Sequence, residues 1–176
     1  AAALGTLAAS CVTIGGALST VPLAQRMART GRRAGLVRGW SIGAAGSALA
    51  AVAAITGLYP LLLLGSLGVG VGQASGRAAR FAAADRADDA GRARAIGLLV
   101  WASSLGAVLG PTVGLGAVGQ AAEAAGLPAL AGPNLLSAVV FVGAAGLVHR
   151  WLRPDPLEVL GALRPAAPTT GALQAL

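Results

Sequence analysis

Apolar runs long enough to cross a bilayer alternate along this chain with segments rich in arginine. After Arg94 the sequence AIGLLVWASSLGAVLGPTVGLG carries no charge. That is enough to cross the roughly 30 Å hydrocarbon core as one helix. Its second half holds Gly106, Gly110, Pro111 and Gly114. A soluble helix tolerates these poorly, but in a membrane neighbouring helices pack close and re-satisfy the freed backbone groups. The other runs share this character. Residues 1–24 form the first span, 39–58 the second, 61–76 the third with a continuation past Arg77 toward Phe81, 94–116 the fourth and 134–151 the fifth. Between them stand the basic segment 25–38, a short uncharged turn at Tyr59 and Pro60, and the charged segment 77–94. A Gly/Ala/Pro connection at 115–133, whose only charge is Glu123, precedes the fifth span. The pattern predicts an all-α polytopic membrane bundle over residues 1–152. A proline-rich cytoplasmic linker, flexible or weakly helical, is expected over 153–176.

Composition sharpens this. The chain is 56% hydrophobic and 11% charged, against about 25% charged for soluble domains, so it is an integral membrane protein. The net charge of +7 rests on arginine, with no lysine. Aromatics make up 3% and the arginines sit between apolar spans, which argues against nucleic acid as a partner. All thirteen arginines fall in 25–38, in 77–94, or at the end of the fifth span and beyond it, while the connections at Tyr59 and Glu123 hold none. By the positive-inside rule the arginine segments are cytoplasmic, with Ala1 outside and Leu176 inside. Abundant Ala and Gly without Lys suggests a GC-rich bacterial genome, so the expected location is the bacterial cytoplasmic membrane, as a multi-pass protein. Cys11 is the only cysteine, which leaves no intramolecular disulfide. No basic segment precedes the first span and no Met opens the chain. With an odd span count that starts outside, the expectation is that another helix precedes it.

Three stretches carry a family resemblance. The first is LAQRMARTGRR, residues 23–33, with Arg26, Gly31, Arg32 and Arg33, and Gln25 where an acid is usual. It resembles the cytoplasmic loop signature of major facilitator superfamily transporters, roughly GxLADRxGRR, between helices two and three. Physically, such a basic turn fixes the sidedness of two helices, and its arginines cap carbonyls or bind acidic lipid heads. The second is Gly106, Gly110, Pro111 and Gly114, a GxxxGPxxG pattern similar to the fifth-helix motif of the drug/proton antiporter branch. On its own chemistry it is a close-packed, kinked helix seam. The third is Asp85 with Arg92-Ala93-Arg94, which resembles the end of the family's loop between helices four and five. The resemblance implies the amino-terminal half of a transporter, from helix two to helix six, so five transmembrane helices of a six-helix half. It also implies transport of a small molecule by alternating access, with efflux of drug-like compounds as the subclass. The remainder of the same transporter, a small-molecule substrate and the lipid bilayer are the implied partners.

Inside the spans no Asp, Glu or Lys stands away from the ends, so no proton carrier is evident. The candidate cavity residues are neutral: Ser10 and Thr13 on the first span, Gln73 on the third, and Trp101, Ser103 and Ser104 on the fourth. For each hydroxyl the plainer alternative is a bond to its own helix backbone, and for Trp101 an anchor at the membrane interface. Other functions have weaker support. Asp85, Asp88 and Asp89 resemble half of a magnesium-binding cluster of a membrane transferase, but the second cluster is lacking. His149 lies at the cytoplasmic end of the last span, Cys11 lies nearer the opposite face, and no oxyanion motif accompanies them, so an intramembrane hydrolase is not supported. No catalytic residue, metal site or cofactor is expected. The alternative to a transporter is a membrane-embedded enzyme or a non-transporting helical scaffold.

Overall fold

The computed structural model describes residues 2–86 and 89–152. Asp88 and the proline-rich segment 153–176 lie outside them, as do the side chains of Asp85, Asp89 and Arg92. Among the described residues the chain is all helical: α1 (Ala2–Thr30), α2 (Arg32–Thr56), α3 (Tyr59–Arg86), α4 (Asp89–Pro111), a π-helical stretch (Thr112–Val118), α5 (Gly119–Ala124) and α6 (Ala131–Trp151). The fourth apolar run is one rod, because α4, the π-helical stretch and α5 follow without a break. There are therefore five long helical rods. Four stretches, Gly5–Thr30, Arg32–Thr56, Ile96–Ala124 and Ala131–Trp151, are long and apolar enough to cross a membrane. Helix α3 has the length, at 28 residues, but its glycines together with Gln73 and Arg77 dilute its apolar character.

The helices stand in a row. α3 lies between α1 and α2, and α2 lies between α3 and α6. What lets them approach is the lack of side chains at the crossings. A Cβ on Gly46 would meet the Gly65 carbonyl oxygen and the Gly68 Cα, each at 2.7 Å. On the other side of α3, Gly15 sits against the Leu67 carbonyl and Gly70 against the Val12 carbonyl of α1. Gly72 makes room for the Phe141 ring of α6. The larger side chains point away from the row: Leu18 is 71% exposed, Val108 70% and Val139 68%. That is the arrangement expected where lipid is as apolar as leucine and helix association depends on close backbone packing.

Three boundaries differ from the sequence-based expectation. Segment 25–38 is not a loop: α1 runs on to Thr30 and α2 starts at Arg32, so only Gly31 separates them. Its alanines and arginines favour a helix. Gly31 supplies the break at φ 90°, ψ 156°, a region open essentially to glycine alone. The charged segment 77–94 is likewise helical through Arg86 and again from Asp89. The connection expected over 115–133 shrinks to 125–130, because the helix continues through Gly114, Gly116 and Gly119 to Ala124. Pro111 has no N–H and crowds the preceding turn. The ladder widens into the π-helical stretch immediately after it, and the helix goes on without ending. The tight turn at Tyr59 is as expected: α2 closes on Gly57 at φ 71°, whose N–H donates to the Ala53 carbonyl at 2.9 Å.

Candidate substrate-binding face

Helix α3 carries polar residues that the bundle leaves exposed. Gln73, Arg77 and Arg80 fall at i, i+4 and i+7, one helical face, and all three are exposed. A long helical side chain leans toward its helix N-terminus, so Arg77 and Arg80 reach back along α3 toward the apolar middle of the rod. Arg77 lies across α1: its Nη2 is 3.0 Å from where a Cβ on Gly16 would stand. Arg80 reaches the fourth rod, its Nη2 donating to Ser103 Oγ at 3.0 Å. Ser103 in turn donates to the Leu99 carbonyl at 2.7 Å. A guanidinium so placed can hydrogen-bond an oxygen-bearing ligand while Ser103 holds its neighbour in position.

The neutral candidates fall differently. Ser10 Oγ donates to the Thr6 carbonyl at 3.0 Å, Thr13 Oγ1 to the Ala9 carbonyl at 3.2 Å and Ser104 Oγ to the Val100 carbonyl at 3.0 Å. Each is satisfied on its own helix. Trp101 is 64% exposed, six residues from the start of the apolar run. Of the sequence candidates, Gln73 alone shares the face of Arg77 and Arg80. In the sequence Arg77 and Arg80 lie on the continuation of the third span toward Phe81 and count as markers of the cytoplasmic side, a role that masks the face they share with Gln73. Their i+4 and i+7 relation to Gln73 was the available signal.

The basic turn is tied to the far end of the chain. Arg33 Nε donates to the His149 carbonyl at 3.0 Å, and Nη2 lies 3.2 Å from His149 Nδ1. The guanidinium therefore closes the end of α6 and puts the α1–α2 turn and the α6 C-terminus on one side of the bundle. Arg32 is half-buried beside it, and Arg26 is exposed one turn up α1. Of the GxxxGPxxG positions, Gly106 and Gly110 are exposed while Gly114 is buried. A Cβ on Gly106 or Gly110 would meet nothing within 4 Å, and one on Gly114 would meet only Pro133 Cβ at 3.8 Å. Pro111 is exposed. Among the described residues no group of three or more His, Cys, Asp or Glu side chains could hold a metal ion.

The chain is 36% identical over 151 residues to the MFS-type transporter YddS of Bacillus subtilis, itself uncharacterized, covering 86% of this chain and 34% of that protein. It is 35% identical over 157 residues to a second uncharacterized MFS-type transporter of B. subtilis, YdeG, covering 89% of this chain and 36% of that one. The chain belongs to the major facilitator superfamily. A third relative is the riboflavin transporter RfnT of Brucella anthropi, 35% identical over 109 residues, which are 62% of this chain and 27% of that protein. This major facilitator chain thus spans about a third of the length of the curated relatives it matches. No family model matches it, and no solved structure does. With its apolar helices, membership makes it a multi-pass membrane protein.

Proposed function

We propose that these helices are part of a secondary carrier that moves a small molecule by alternating access, and that Gln73, Arg77 and Arg80 of α3 face its substrate. The relation to YddS carries the first statement. The second rests on the arginine pair: α3 is packed between two apolar helices, and ionisable side chains that lean toward the middle of such a rod support a substrate or ion path. In this reading the chain is helices two to six of an amino-terminal half, and the GxxxGPxxG face awaits the rest of the polypeptide. The resemblance of that motif to drug/proton antiporters favours efflux from the bacterial cytoplasmic membrane. Two arginines on the face repel cations, so the drug-like compounds carried are anionic or neutral. Riboflavin, the substrate named for the Brucella relative, is uncharged and fits that class. Nothing in the arrangement favours an enzyme.

The test uses the full-length protein in inside-out vesicles, with an anionic dye, riboflavin and ethidium as probes. Gradient-driven accumulation of the anionic dye or riboflavin, lost in Arg77→Gln and Arg80→Gln at equal expression, is the expected result. Ethidium accumulation unaffected by either change would remove α3 from the substrate path. No driven movement across a broad panel would remove the carrier reading itself.

A further inference from the structure

Between α1 and α2, floored by Val71 of α3, runs an open apolar groove with arginine at one end. Its deeper part is a cavity of about 200 Å³ lined by Ser19, Pro22, Leu23 and Ile42, with Arg26 and Arg38 at its mouth. Through Ser19, Ile42 and Val71 it continues into a shallower trough reaching Gly15 and Leu67. From Arg26 back to Gly15 along α1 is about 16 Å at 1.5 Å per residue. That is roughly half of a 30 Å hydrocarbon core, one leaflet.

The charges at the mouth differ from the other arginines described above. Arg33 is engaged with His149, Arg80 with Ser103, and Arg77 lies over Gly16. The side chains of Arg26 and Arg38 are exposed and make no hydrogen bond or ion pair with the described residues. Segment 25–38 contains no acid to neutralise them. Both flank the turn that the arginine distribution places at the cytoplasmic surface, where anionic lipid collects around arginine.

We propose that this groove binds one anionic phospholipid of the cytoplasmic leaflet, its phosphate between Arg26 and Arg38 and one acyl chain along Pro22, Ile42 and Leu67. The occupant follows from charge and length together. A protein helix laid over the mouth would have to bury two guanidinium groups or bring acids to meet them. A phospholipid brings one negative phosphate and a chain that spans one leaflet. The site is separate from the α3 face and does not depend on which substrate is carried.

The test is native mass spectrometry of the full-length protein, delipidated and then titrated with phosphatidylglycerol or phosphatidylethanolamine of identical acyl chains. The wild type is expected to retain phosphatidylglycerol preferentially. The double variant Arg26→Gln/Arg38→Gln should weaken that retention by about ten- to thirty-fold, since each arginine near anionic lipid contributes roughly five-fold, while Arg29→Gln, on the same turn but outside the groove, should not. Ile42→Trp, which fills the trough, should lower retention of both lipids. Circular dichroism of each variant separates loss of the site from loss of the fold. Equal phosphatidylglycerol retention in the double variant and the wild type overturns the site. So does a disulfide-linked dimer from Leu18→Cys in a Cys11→Ser background, which would mean that a second copy covers the groove. Protection of that same cysteine from maleimide in the delipidated protein would mean that another part of the polypeptide covers it, and this too overturns the proposal.

Discussion

At the scale of single residues, the bundle depends on hydrogen atoms where other proteins have side chains. Gly46 has the Gly65 carbonyl and the Gly68 Cα within 2.7 Å of its missing Cβ, and backbone on both sides leaves nothing flexible to move aside. Gly46→Val should therefore force α2 and α3 apart at a cost of about 1–3 kcal/mol. Gly97→Ala, with nothing within 4 Å, should be neutral or slightly stabilising. Unfolding of the two variants in a denaturing-detergent titration makes the comparison, and equal midpoints would remove close packing from the account. Gly31 is constrained for another reason. Its φ of 90° with ψ of 156° excludes a Cβ, so Gly31→Ala should cost about 1–3 kcal/mol in the same titration. A wild-type midpoint in that variant would mean that the turn has another conformation in the membrane.

At the scale of elements, most of the helices were legible in the sequence, and their ends were not. Apolar runs without charge mark where lipid must be met, so the span at 134–151 falls within α6 and the span at 39–58 falls in α2 but for its last two residues. Charge marks where the chain leaves lipid, which need not be where the helix ends. Arg26 and Arg29 stay helical because nothing before Gly31 stops α1, and glycines 114, 116 and 119 stay helical because the π-helical stretch absorbs Pro111. The face of Gln73, Arg77 and Arg80 is masked in the sequence because its two arginines also mark the cytoplasmic side of the continuing third span. The seam pattern at Gly106 and Gly110 was legible as a motif but has no neighbour here. In the full-length protein Gly110→Leu should abolish transport, while Ala107→Leu, off the motif's face, should keep most of it. The fold of the present chain should tolerate both. Matched transport by the two variants would show that the motif packs against nothing.

For the whole molecule, the contact from Arg33 to His149 joins residues 116 positions apart and sets the first turn beside the end of α6. Together with the placement of every arginine, it predicts one sidedness for the bundle: position 29 cytoplasmic, positions 59 and 123 external. Single cysteines at these positions in a Cys11→Ser background, exposed to an impermeant maleimide on intact cells, report it. Labelling at 59 and 123 but not at 29 is expected, and the reverse pattern would invert the bundle and move the proposed lipid to the other leaflet.

In the proposed function the chain is one part of a carrier whose alternating access uses helices beyond it, a reading supported by relatives about three times its length. A row of four packed rods with a fifth largely uncovered has no second half to rock against. The most direct measurement compares liposomes holding the 176-residue chain with liposomes holding the full-length protein. Both are given the same ion gradient and the substrate that the full-length protein moves. Concentrative, saturable uptake is expected with the full-length protein and only leak with the shorter chain. Concentrative, saturable uptake by the shorter chain alone would contradict that reading.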